Sequence, residues 1–379
     1  MNQTSKILST YSADAFGVAS ALFELGGMVI IHDASGCNST YTTHDEPRWY
    51  DMDSMLFVSA ISEIEAIMGD DEKLIFDIVT EAKRFHPKFI AIAGTPIPAM
   101  TGFDSESVAA RIEKETGIPS FGFPTTGMKT YISGADMALS SIARRFARKD
   151  FRPGRDHRVN ILGCTPLDFS TNGQVESICR LLTENGWIVN CTFAMNTSLK
   201  EVEELGKGDV NLVVSATGRQ TALFLEKTLG IPYLEAVPYG KKFSTTVLQA
   251  LEELYAGETK VILRHSSSSD CENIIIGEEV SSLSLALSLE CETGKEFQVL
   301  CPTNEGPLLQ TNDVYTPYED DIIKSLSNAK TVISDPIYRN ILTEKVHLVD
   351  WPHEAYSGRI YRKYIPNLIG DILYISEKL

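Results

Sequence analysis

The chain has 379 residues, 43% apolar and 22% charged, with 34 Lys and Arg against 51 Asp and Glu, a formal net charge of −17. That length accommodates two or three domains of ordinary globular composition. The acidic balance excludes a protein built around nucleic acid or an anionic membrane surface, both of which call for a basic face, and it suits one that meets a partner through a local patch.

The opening residues, MNQTSKILSTYSADAFG, hold one early lysine and no long apolar run, and no window reaches roughly 18 apolar residues, so the expected location is the cytoplasm. Residues 14–25 have the pattern of a short amphipathic helix leading into the apolar run Met28-Val29-Ile30-Ile31, a buried strand. This strand breaks into His32-Asp33-Ala34-Ser35-Gly36-Cys37, which places the loop at the carboxyl edge of a sheet, where open α/β sheets bind ligands. Gly36 permits tight backbone, and a Cys37 thiolate suits a soft metal or an iron–sulfur cluster. The other reading of Cys37 is a small buried hydrophobe. Residues 41–49, polar and aromatic, read as a surface loop, and residues 57–61 as a strand. A helix is expected over 74–85, then a buried strand over 89–93 that ends in Gly94-Thr95-Pro96-Ile97-Pro98, a second carboxyl-edge loop. A helix over 105–116, a strand over 118–123 and a loop over 124–128 continue a β-α-β-α rhythm that means a parallel sheet with crossover helices.

The basic run Arg144–Arg158, containing Pro153-Gly154, reads as a linker or domain edge. A second unit follows, with strands over 159–163, 187–193 and 211–215, and the loops Cys164-Thr165-Pro166 and Ala216-Thr217-Gly218-Arg219. A third begins near Gly257, with strands over 273–276, 297–300, 331–334 and 346–350, the loop Asp350-Trp351-Pro352-His353 and a closing helix around 364–376. The expected fold is α/β: three doubly wound, Rossmann-like domains with parallel four- or five-stranded sheets around a central cleft. The expected domains are 1–155, 156–256 and 257–379, each of ordinary size. The seven cysteines (37, 164, 179, 191, 271, 291 and 301) are scattered and form no C-x-x-C pair. Any cluster must therefore be assembled from distant loops or from more than one chain.

Several stretches taken together resemble one superfamily. They are His32-x-x-x-Gly36-Cys37 after the first strand, the acidic run Ser62–Leu74 opening a helix, and Phe89–Pro96 followed by Met100-Thr101-Gly102-Phe103-Asp104. Ile118-Pro119 through Gly127 and Gly134 add to them, with weaker similarity through Asn172-Gly173 and 212–232. In order and spacing they resemble the component 1 subunits of nitrogenase-like oxidoreductases. That superfamily includes the nitrogenase MoFe-protein subunits, their cofactor-assembly scaffold, the dark-operative protochlorophyllide and chlorophyllide reductases and the nickel-sirohydrochlorin diamide reductase. Members with a full cluster site use cysteines from three loops of the first domain, and here only the Cys37 position keeps one. The early position falls at Tyr11-Ser12 and the third holds Thr95. The resemblance has a precedent for this, a subunit supplying one ligand to a cluster whose other ligands come from its partner; loss of the cluster is the alternative.

The resemblance thus implies a subunit of a two-component, ATP-dependent reductase. An iron-protein-like ATPase would deliver electrons through a [4Fe–4S] cluster shared with a second component 1-like chain, in a homodimer or heterotetramer, to a small-molecule substrate. A further metallocofactor or tetrapyrrole in the cleft is compatible with it. The alternatives are a metallocofactor scaffold without turnover and a cluster-free small-molecule-binding protein. No G-x-x-x-x-G-K-[ST] occurs, so ATP is not expected on this chain. Cofactor-binding candidates are Gly36, Cys37 and Thr95, with Cys37 as metal ligand. Catalytic candidates are Arg219, to pair with a substrate carboxylate, and His353, as proton donor or axial ligand; ordinary surface loops are the other reading of both. Asp14 reads as an oxygen ligand or a helix N-cap, His32 as a residue bonding loop backbone, and Thr95 as closing its loop through its hydroxyl.

Overall fold

A computed structural model describes residues 5–69 and 71–379; the Cys37 side chain and Asp70, part of the acidic run singled out above, lie outside the described residues. Three wholly parallel sheets follow one another along the chain. The first comprises β1 (Met28–His32), β2 (Met55–Val58), β3 (Ile90–Gly94) and β4 (Ser120–Phe123), in the order β2-β1-β3-β4. The second comprises β5 (Arg158–Leu162), β6 (Ile188–Phe193), β7 (Val210–Val213) and β8 (Tyr233–Glu235), in the order β6-β5-β7-β8. The third comprises β9 (Asn273–Ile276), β10 (Gln298–Cys301), β11 (Val314–Tyr315), β12 (Thr331–Ser334) and β13 (His347–Asp350), in the order β11-β10-β9-β12-β13. The strands read as unbroken apolar runs because helices cover both sheet faces: β1, β3 and β7 are buried along their whole length.

Alternation along β1 divides the first unit. Val29 and Ile31 join the large core that runs through all three units, whereas Met28 and Ile30 face the helices Asp71–Phe85 and Ser105–Thr116 in a smaller cluster. The helix Asp71–Phe85 buries Leu74, Ile75, Ile78, Val79 and Ala82, the face its periodicity marks. On the other side, the helices Asp14–Leu22 and Tyr131–Phe146 cross almost backbone to backbone. A Cβ at Gly134 would stand 1.9 Å from the Asp14 carbonyl oxygen, and one at Gly17 2.0 Å from that of Tyr131.

Three expectations are corrected. The stretch 41–49 is not a surface loop. It opens with a π-helical turn, Tyr41–Asp45, and buries Arg48, which donates from Nη1 to Glu24 (2.8 Å), from Nη2 to Glu46 (2.6 Å) and the Ser20 carbonyl (2.7 Å), and from Nη1 to the Ala194 carbonyl of the second unit (3.3 Å). The closing helix expected over 364–376 is two separate turns, Arg362–Tyr364 and Leu373–Ser376. Pro366 and Gly370, the latter at φ +82°, interrupt it, and Ile369 instead bridges to Tyr239 and Gly240. The strand expected over 57–61 is shifted to Met55–Val58. Among the described residues no helix is long and apolar enough to cross a membrane.

Candidate functional site

In each sheet the loops on either side of the point where strand order reverses lie at the carboxyl ends of the strands, the usual ligand position of doubly wound folds. In the first sheet that point lies between β1 and β3, so residues 33–38 meet residues 95–98. Thr95 ties them together: its hydroxyl reaches the His32 carbonyl at 2.9 Å and Asp33 Oδ1 at 2.6 Å. Asp33 also accepts a hydrogen bond from Asn38. Gly36 starts the short helical turn Gly36–Thr40 at φ +48°, with open space around it, and Cys37 follows in that turn.

The groups at the other loop positions of this edge are occupied. The Tyr11 hydroxyl donates to Asp45. Asp14 does not cap the helix it opens; the N-cap residue is Ala13. The Asp14 carboxylate instead accepts the backbone N–H groups of Thr126 (3.0 Å) and Gly127 (2.7 Å), which fixes the third edge loop. His32 bonds a side chain, Ser59, rather than backbone, with Nδ1 2.8 Å from Oγ. Around these loops the surface is apolar: Ile64 is 74% exposed, Met100 88% and Met128 83%.

The second and third units bring their own loops together in a different way. Asp168 accepts from Tyr131 Oη at 2.6 Å and from Thr165 Oγ1 at 2.7 Å. His353 Nε2 stands 3.5 Å from both Asp168 Oδ1 and Tyr131 Oη. Its Nδ1 accepts from Ala355 N–H (3.3 Å), so the ring proton sits on Nε2, facing Asp168. Asp335 fixes the backbone, accepting from His353 N–H at 2.8 Å and from Ser357 Oγ at 2.6 Å. Glu278 accepts the N–H groups of Ala216, Val280 and Ser281. Burial, and then the charge of Asp168, push its carboxyl up to about 7. Tyr131, Asp168, Glu278 and His353 are thus drawn together from all three units, and among them the Glu278 carboxyl is the one brought near neutral pH. The cavity left between Glu278, Asp335 and His353 is about 10 Å³, the space of one water.

Arg219 lies beside this junction with two of its nitrogens engaged: Nε reaches Glu235 at 2.5 Å and Nη2 reaches Glu279 at 2.7 Å. Glu279 also accepts from Asn304 (2.8 Å) and from the Leu308 N–H (2.7 Å), and the backbone at Gly306 wraps so closely that a Cβ there would overlap its carboxylate. The structure thus groups Gly36, Cys37 and Thr95 at one edge, and places His353 with Tyr131 and Asp168, and Arg219 with Glu235 and Glu279. Tyr131, Asp168 and Glu278 escape a reading of the sequence. The one local signal is the adjacent pair Glu278-Glu279 ahead of ten residues without charge.

The sequence model of the nitrogenase component 1 type oxidoreductase family matches residues 14–270, more than half of the chain. The chain belongs to that family. The alpha chain of the nitrogenase molybdenum-iron protein of Clostridium pasteurianum is 26% identical over 183 residues, 48% of this chain and 34% of that protein. The nitrogenase iron-molybdenum cofactor biosynthesis protein NifE of Klebsiella pneumoniae is 24% identical over 211 residues, 52% and 45% of the two chains. One of the subunits of the light-independent protochlorophyllide reductase of Nostoc punctiforme is 25% identical over 246 residues, 61% and 47%. The matches thus span half or less of these relatives' length. The solved structure of nitrogenase Cp1 at pH 6.5 shares the fold with a TM-score of 0.65 at 16% identity, covering 94% of this chain and 86% of that one.

The family implies iron–sulfur and larger metallocofactors, and the residues set limits on both. Among the described residues no three His, Cys, Asp or Glu side chains are grouped so as to hold a metal ion. The described residues do not fit a cluster held by this chain alone, and the junction as it stands, with about 10 Å³ of space, has no room for a metallocofactor or tetrapyrrole.

Proposed function

We propose that the chain is a component 1-type subunit of a two-component, ATP-dependent reductase. In this reading it contributes Cys37 as its single ligand to a [4Fe–4S] cluster shared with a second component 1-type chain, and an iron-protein-like ATPase docks on the same face as electron donor. The observation that supports the reading is the unfinished first edge. Its polar groups are tied to one another, an open glycine precedes Cys37, and exposed Ile64, Met100 and Met128 surround it, as on a face covered by another protein. His353 with Tyr131 and Asp168 would hold a proton for the reaction, and Arg219 would keep the second and third units in register. A cluster-free binding protein is the second reading, favoured by the filled junction. A scaffold holding a metallocofactor precursor would need that junction to open.

Anaerobic co-purification with a component 1-type partner tests the proposal. The assembly should be brown and larger than the 41.9 kDa chain, and Cys37→Ser should lose most of the iron. Unchanged iron in that variant removes Cys37 from the account. A single-chain species at every concentration with the partner present removes the shared site. Glu63→Lys, at an exposed first-turn position, should weaken a salt-dependent docking of the ATPase; wild-type turnover at low salt would sink that part.

A further inference from the structure

On the side of β1 that faces the helix Asp71–Phe85 lies a half-open groove of about 220 Å³. Ile30, Phe57, Leu74 and Ile78 give it apolar walls, and Phe57 is 38% exposed into it. The volume falls below the roughly 300 Å³ at which drug-sized sites begin, so its natural occupant is a single-ring molecule. At the upper end is His32, only 5% exposed and packed on Phe103 with ring centroids 4.4 Å apart.

The hydrogen bonds around His32 settle what it offers. Ser59 Oγ accepts the Asp33 N–H at 3.1 Å and lies 3.3 Å from the Asp33 carbonyl, which takes the hydroxyl proton. His32 Nδ1 therefore donates to Ser59, and Nε2 is left as an acceptor. Among the described residues nothing bonds Nε2, and the ring lines the groove. Nε2 is thus an acceptor turned to the groove, able to take a hydrogen bond from whatever enters it. Burial holds the ring down to about 4, so it stays a neutral acceptor.

The rim gives the sign of the ligand. Glu65, Asp77 and Glu81 line it with one cation, Lys73, which serves both Glu65 (3.0 Å) and Asp77 (3.6 Å). Arg84 approaches Glu81 at 3.6 Å but does not line the groove. The opening keeps a negative excess.

We propose that this groove binds a small organic amine, its apolar body between Phe57 and Leu74 and its protonated nitrogen donating to His32 Nε2 in the field of the rim carboxylates. The proposal does not depend on Cys37 or on a cluster. Titration calorimetry on the full chain tests it with three probes of one shape: 2-phenylethylamine, 2-phenylethanol and phenylacetate. The amine should bind about tenfold more tightly than phenylacetate, a difference of about 1.4 kcal/mol. Asp77→Asn with Glu81→Gln changes two solvent-reaching carboxylates without touching the core, and should narrow that preference by about threefold. His32→Phe keeps the packing on Phe103 and should reduce the amine's preference over phenylacetate to the roughly threefold that the rim carboxylates supply; in the wild type, the His32 Nε2 nitrogen resonance should shift on adding the amine. Equal binding of all three probes to the wild type, a preference untouched by the rim variant, or an unmoved Nε2 resonance at saturating amine would each overturn the assignment.

Discussion

The first sheet's carboxyl edge and the junction of the second and third units are built from the same material, loops leaving parallel strands where strand order reverses, yet they end in opposite states. At the junction another part of the chain covers each loop. Carboxylates are drawn inward, and Asp168, Glu278, Asp335 and Glu279 all have named donors. At the edge the polar groups satisfy one another within the loops, and what faces outward is Ile64, Met100 and Met128. A loop end covered by its own chain can be polar, because every buried group has a fixed partner. A loop end left bare presents apolar side chains to whatever chain covers it. In the proposed reading the intramolecular chemistry belongs to the junction and the intermolecular surface to the edge.

The largest expected effect tests the junction. Glu279→Ala leaves Arg219 with half of its partners in a buried site and should cost on the order of 3–5 kcal/mol in urea unfolding, whereas Glu279→Gln, which still accepts the Leu308 N–H, should cost less. A loss under about 1 kcal/mol would show the junction to be wetter than its hydrogen bonds indicate. A smaller effect concerns Asp136, which accepts the Gln220 N–H at 2.8 Å and which burial raises to about 7. An acid whose folded pKa is raised holds its proton more tightly when folded. Its contribution is complete below the ordinary carboxylate range and is lost as pH rises from about 4 through 7. Asp136→Asn keeps the acceptor and removes the charge, so it should stabilise by on the order of 1–2 kcal/mol at pH 8 and by nothing measurable at pH 4. The reverse pH trend would contradict the assignment. The smallest effect on stability sharpens the other half of the comparison. Met100→Asp with Met128→Asp should change the unfolding free energy of the lone chain by no more than about 0.5 kcal/mol and yet abolish association with the partner in light scattering. Undisturbed association would move the interface elsewhere.

The fold was legible because its signals are local. Strands buried on both faces read as runs such as Phe89–Ala93, and the helix Asp71–Phe85 shows its buried stripe at helical spacing. The edge loops were legible for the same reason, since glycine, proline and small polar residues follow the strands directly. The junction was not, because its meaning lies in pairings far apart in sequence, Tyr131 with Asp168 and Asp168 with His353. Arg48 failed for a related reason: a charged residue that follows a proline in an acidic stretch reads as solvated until Glu24, Glu46 and the Ser20 carbonyl are seen around it. The C-terminal segment misled in the other direction. Its apolar spacing suits a helix, but Pro366 and a left-handed Gly370 stop it.

The crossing at Gly17 and Gly134 joins the two regions just compared. One helix of the pair begins at Asp14, whose carboxylate grips the backbone of the 126–127 loop at the edge; the other begins at Tyr131, whose hydroxyl ends on Asp168 in the junction. Where backbone rests on backbone there is no side chain to change rotamer and absorb a shift. The pair therefore has the character of a stiff axle. A load on the edge loop would therefore pass along the pair, leaving the Asp14 and Tyr131 side chains at its two ends as the places where it could be absorbed.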